Sequence, residues 1–132
     1  MNKQRLLLLA DFLATKVPED RWDYETIVGD DWKGEQDLSC GTTACALGWA
    51  ATIPELRAAG MKLVIDQQFN DGEIWVDGEA VFKIARKVFD INELDVYYLF
   101  SPESGHNPLY RKSSAKAVAQ HIRTFVSHGR EE

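Results

Sequence analysis

The chain has 132 residues, 45% of them hydrophobic, the size and apolar content of one compact domain able to bury roughly two-thirds of its unfolded surface. A net charge of −6 is carried by acids that are densest in PEDRWDYETIVGDDWKGEQD, and no basic stripe is left to track a phosphate backbone, so nucleic-acid binding is not expected. Two cysteines, Cys40 and Cys45, do not make a disulfide framework, and reduced thiols in a cytoplasmic setting are the simpler reading.

The N-terminus, MNKQRLLLLADFLATKVP, imitates a secretory signal until Asp11 interrupts the apolar run. No stretch approaches the roughly 18 apolar residues of a membrane span, so no membrane association is expected. Leu6, Leu9, Ala10, Leu13 and Val17 recur at helical spacing, which predicts an amphipathic helix over about 4–17, stopped at the Val17-Pro18 step. A short helix is expected around 21–28, then a polar loop containing Gly29 and Gly34.

The stretch CGTTACALGWA follows. Thr42 or Thr43 can cap a helix that runs through Trp49 to about Thr52. In it Ala44, Gly48 and Ala51 form a strip of minimal side chains. A mid-helix glycine costs about 1 kcal/mol relative to alanine, so the strip predicts close approach of another backbone, a helix or a hairpin. Cys45, Trp49 and Thr52 form a second face, with the Trp49 ring covering the core. Pro54 fits the first turn of the next short helix, PELRAAG, closed by Gly60 in a left-handed conformation.

KLVIDQQF and EIWV, separated by NDG, predict a β-hairpin over about 62–76. Asp77 caps a helix whose apolar face is Val81, Ile84, Ala85, Val88 and Phe89. INELDVYYLF reads as a helix from its caps: Asn92 at the start, Asp95 in the capping-box position, Ile91 stapled onto Val96, and Ser101-Pro102 as the stop. A last helix from about Ser114 presents Ala115, Val118, Ala119, Ile122, Phe125 and Val126. The expected architecture is one α+β domain over 1–132, mostly α, with five to six helices and one hairpin. Its core spans 40–126, and its tail, 127–132, is frayed.

Three chemistries use the reactive residues. Zinc could draw on Cys40, Cys45, His106, His121 and His128, but neither the cysteines nor any histidine pair has the usual ligand spacing, and no cofactor or metal is expected. A thiol nucleophile at a helix N-terminus would have a lowered pKa, with Cys45 or Cys40 served by His106 or His121. A tyrosine-phosphatase loop is excluded because Ala46 and Ala51 stand where its arginine belongs, and papain-like spacing fails because Cys45 is followed by Ala46. The acids Asp20, Asp23, Asp30, Asp31 and Glu35 are expected to be solvated surface charges. The bland alternative makes Cys45 a small buried hydrophobe and the histidines surface residues.

CGTTACALGWAATIPELRAAGM, AVFKIARKVFDINELDVYYLFSP and AKAVAQHIRTFV together resemble a family of small phage and bacterial proteins that share a C-G-T-x-A-C-x-x-G-W-A box. The similarity covers roughly 31–126, with Cys40, Gly41, Thr42, Cys45, Gly48 and Trp49 in the box. It implies a fold and a host-cytoplasm setting, and no assigned activity. The expected function is a non-enzymatic accessory protein that binds another protein, of open oligomeric state. A cysteine-dependent hydrolase or transferase and a small metal-binding domain remain as alternatives. The expected contact surface is Trp22, Tyr24, Asp31 and Trp32, with the tryptophans folding back over the core as the equal alternative.

Overall fold

The computed structural model describes residues 1–28, 38, 43–66, 75–102 and 104–130. Within them lie six α-helices: α1 (Lys3–Thr15), α2 (Ala46–Ala50), α3 (Pro54–Ala58), α4 (Gly78–Phe89), α5 (Glu93–Phe100) and α6 (Ala115–His128). α1 and α6 form the most extensive helix pair, and α1 also touches α2 and α4. Leu6, Leu9, Ala10 and Leu13 of α1 are buried, the stripe that the sequence periodicity marks. They share one core with Val118, Ala119, Ile122 and Phe125 of α6 and Val81, Ala85, Val88 and Phe89 of α4.

The helix ends follow from local chemistry. The Asn2, Asp77, Asn92 and Ser114 side chains each accept an N–H of the first turn, from Arg5, Ala80, Asp95 and Ala117. α5 has a full capping box, because the Asp95 carboxylate also accepts the Asn92 N–H. α3 begins at Pro54 and closes with Gly60 at φ 110° and a Met61 N–H to Leu56 carbonyl bond of 2.9 Å.

Three expectations need correction. The class is a helical domain, not α+β: what the described residues hold of the expected hairpin is a two-residue antiparallel pairing, Ile65 with Val76 and Asp66 with Trp75. Such a pairing cannot bury a face, and Ile65 is itself exposed. The NDG turn lies outside the described residues.

The helix expected around 21–28 is a single 3₁₀ turn, Glu19–Arg21, followed by an irregular segment with a turn at Tyr24 and Glu25 and isolated bridges from Trp22 and Val28 to Ala44. That segment also delays α2, which begins at Ala46 without a side-chain cap. Ala44 donates to the Arg21 carbonyl at 3.1 Å and accepts from the Asp23 N–H at 3.0 Å, and Cys45 N–H reaches the Ile27 carbonyl at 3.3 Å. Backbone donors that a threonine cap would have served are thus taken by carbonyls of the crossing segment. Thr43 lies ahead of the helix, and Thr42 falls outside the described residues.

Candidate functional site

The crossing segment explains the small residues of the CGTTACALGWA stretch. A Cβ built on Gly48 would overlap the Ile27 carbonyl oxygen and lie 2.6 Å from the Ala44 Cβ. The approaching backbone is neither a helix nor a hairpin but the irregular segment that carries Ile27. Trp49 seals the other side: its Nε1 donates to the Arg21 carbonyl at 3.1 Å, the Arg21 guanidinium lies 4.9 Å from its ring centroid, and Phe12 packs at 6.3 Å.

Trp22 and Tyr24 fold back onto the body of the protein, stacked at 5.9 Å with a 20° interplanar angle. Trp22 is half-buried and donates from Nε1 to the Ser113 carbonyl at 2.8 Å. Tyr24 is buried. Its hydroxyl donates to the Leu99 carbonyl and accepts from the Asn107 side-chain amide, both at 2.7 Å. Burial raises its pKa above the ordinary range, and the Asn107 hydrogen bond opposes the rise. Tyr24 is therefore an anchor for the 104–113 loop rather than a protruding contact. Asp31, Trp32, Cys40 and Gly41 lie outside the described residues.

The thiol reading meets a direct obstacle. Cys45 is buried, and loss of solvent pushes its pKa from the ordinary 9.0 up to about 11, outweighing the amides of Gly48 and Leu47 that favour the thiolate. A nucleophile needs the opposite shift. His121, expected on the surface, is buried instead: its Nε2 lies 2.8 Å from the Tyr98 carbonyl and its ring 4.6 Å from that of Tyr98. His106 sits exposed in the loop after α5. Neither histidine lines the cleft that reaches Cys45. Among the described residues no group of three or more His, Cys, Asp or Glu side chains converges on a point.

That cleft has a volume of about 330 Å³ and lies between residues 24–27, the start of α4 and the end of α5. Ile27, Phe82, Phe100 and Pro102 give it apolar walls, and Glu25 and Glu79 bring carboxylates to it. Phe82 and Tyr97 meet edge to face at 5.9 Å and 77° on one side. The Tyr97 hydroxyl donates to Glu93 at 2.8 Å, and that carboxylate holds the phenol proton and raises its pKa. Glu25 receives Arg111 Nε at 3.4 Å and Lys112 Nζ at 3.3 Å, from the loop that Tyr24 and Trp22 anchor.

Sequence reasoning missed this group, though two signals pointed to it. Phe82 lies off the Val81, Ala85 and Val88 stripe of α4, and Tyr97 lies off the Val96, Leu99 and Phe100 face of α5. Aromatics displaced from the buried faces of two adjacent helices have each other and the solvent to meet. No protein-family model, curated protein or solved structure matches the chain. Among the described residues no helix is long and apolar enough to cross a membrane.

Proposed function

We propose that the protein is a non-enzymatic accessory protein that acts by binding another protein, and that the cleft beside Phe82 and Tyr97 is its contact site. The observation that carries this reading is the cleft itself: half-exposed aromatics and two carboxylates border a concavity whose lining includes the buried thiol of Cys45, with its pKa raised by burial. Aromatic anchors at a depression with a polar margin are the arrangement that interfaces favour. A phage or bacterial cytoplasmic setting is supported by the C-G-T-x-A-C-x-x-G-W-A box alone.

The test replaces Glu79, or Lys116 on α6 as a control, with a photo-crosslinking amino acid in cells that make the protein. A discrete higher-mass adduct is expected from position 79 and not from position 116. Equal adducts from both positions, or none from 79, would overturn the reading.

A further inference from the structure

The cleft combines apolar walls, an aromatic pair and two acids, and that combination selects for charge. We propose that it takes an extended basic segment of the partner protein, with one lysine or arginine side chain lying along Phe82 and Tyr97 and its cationic head between Glu79 and Glu25. This rests on the protein-binding reading above and names the chemistry of the partner.

Four observations support a cation. The apolar stem of lysine or arginine matches the walls formed by Ile27, Phe82 and Pro102, while its head needs a carboxylate. Glu79 lies on the same cleft and makes no ion pair among the described residues. Glu25 already holds cations in the unbound protein, those of Arg111 and Lys112. Those two side chains are 61% and 63% exposed, so their pairing with Glu25 is weak and can yield to an incoming cation. The net charge of −6 draws a basic segment toward the protein before contact.

Lys83 and Arg86 are the opposing charges nearby. They line a smaller hollow of about 90 Å³ that shares Glu79, Phe82 and Tyr97 with the cleft, which leaves the space between Glu79 and Glu25 as the seat for the cation.

The intramolecular pairing makes the inference sharp, because it predicts opposite effects from neighbouring substitutions. The probe is a labelled ten-residue peptide with two lysines and two arginines among leucine, proline and glycine. Its counterpart carries glutamine at the four basic positions. Amide chemical shifts locate binding on the full chain, and fluorescence anisotropy gives affinity.

The basic peptide is expected to shift the amides of Ile27, Glu79, Tyr97 and Ser101, and the glutamine peptide is not. Glu79→Gln should weaken binding about three- to tenfold, whereas Glu55→Gln on α3, with the same change in net charge, should have a smaller effect. Arg111→Gln with Lys112→Gln should tighten binding more than Lys16→Gln with Lys116→Gln.

If both peptides shift the cleft equally and Glu79→Gln changes nothing, the basic-partner inference fails and the binding site stands. If shifts scatter over the surface and Glu55→Gln costs as much as Glu79→Gln, the attraction is general and the inference fails. If no peptide shifts the cleft amides at millimolar concentration, the inference and the site both fall.

Discussion

Gly48→Ala sets local propensity and tertiary packing against each other with opposite signs. Propensity alone says that alanine in a helix is better than glycine by about 1 kcal/mol, so the variant would be more stable. The structure says otherwise. The new methyl would overlap the backbone carbonyl of Ile27 and sit 2.6 Å from the Ala44 Cβ, and neither neighbour is the flexible end of a side chain.

Relief requires the segment around Ile27 to retreat from α2. That stretches the Cys45 N–H to Ile27 bond of 3.3 Å and loads the paired bonds between Ala44 and residues 21 and 23. Overpacking of this kind costs about 1–3 kcal/mol, and the partly weakened backbone bonds together add about 2 kcal/mol. Set against the propensity gain, the net loss is about 2–4 kcal/mol.

Urea unfolding followed by tryptophan fluorescence measures it. At a slope of about 1.5 kcal/mol per molar, the midpoint should fall by more than about 1 M with the slope unchanged. Gly105→Ala is the control, since nothing lies within 4 Å of a Cβ built there, and its midpoint should stay put or rise slightly. A Gly48→Ala midpoint equal to or above that of the parent would refute the close-approach reasoning.

Three further outcomes are expected. In a Cys40→Ser background, Cys45 should resist alkylation in the native state at pH 8. Folding favours its neutral thiol, so the stabilising contribution is intact below pH 9 and is lost as pH rises toward 11. The loss is about 1 kcal/mol by pH 10, seen as a steeper fall in unfolding free energy than in the Cys45→Ala partner; equal pH slopes would contradict the burial argument. Tyr24→Phe removes a hydroxyl that bridges the Leu99 carbonyl and the Asn107 amide, and should cost about 1–3 kcal/mol while raising hydrogen exchange in residues 104–113. Arg123→Ala breaks a 2.7 Å pair with Asp11, but both side chains are solvated, so the unfolding midpoint should move by no more than about 0.5 kcal/mol equivalent.

The helices whose signals are local could be read from the sequence. α5 was legible from Asn92 and Asp95, because a capping box needs only residues three apart. α1, α4 and α6 were legible from apolar periodicity. The segment 21–28 was not, because its course is set by bridges to Ala44, which is remote in sequence, and no local pattern carries that pairing. The runs at 62–66 and 75–76 have the composition of strands, yet composition cannot say how many residues will pair or whether a helix will take the core position.

The candidate site was less legible still. His121 follows the buried stripe of α6 at one position from Ile122, but its partner is a carbonyl on another helix. Cys45 was correctly expected inside as a small hydrophobe, whereas the alternative of an activated thiol looked only at the helix end and not at what covers it.

The pairing of α1 with α6 sets the order in which the protein can become whole. The Leu6, Leu9 and Leu13 face of the first helix has its largest partner in the last one, about 100 residues later. At a synthesis rate of about 5–20 residues per second, that face waits about 5–20 seconds for α6 to leave the ribosome. The Arg5 guanidinium on the Val88 carbonyl and the Asn2 N–H on the Phe89 carbonyl tie the same early residues to the end of α4, which is made before α6. A nascent chain arrested after α5 would therefore have only the smaller contacts of α1 with α2 and α4, leaving much of its leucine face open to chaperones or self-association until α6 arrives.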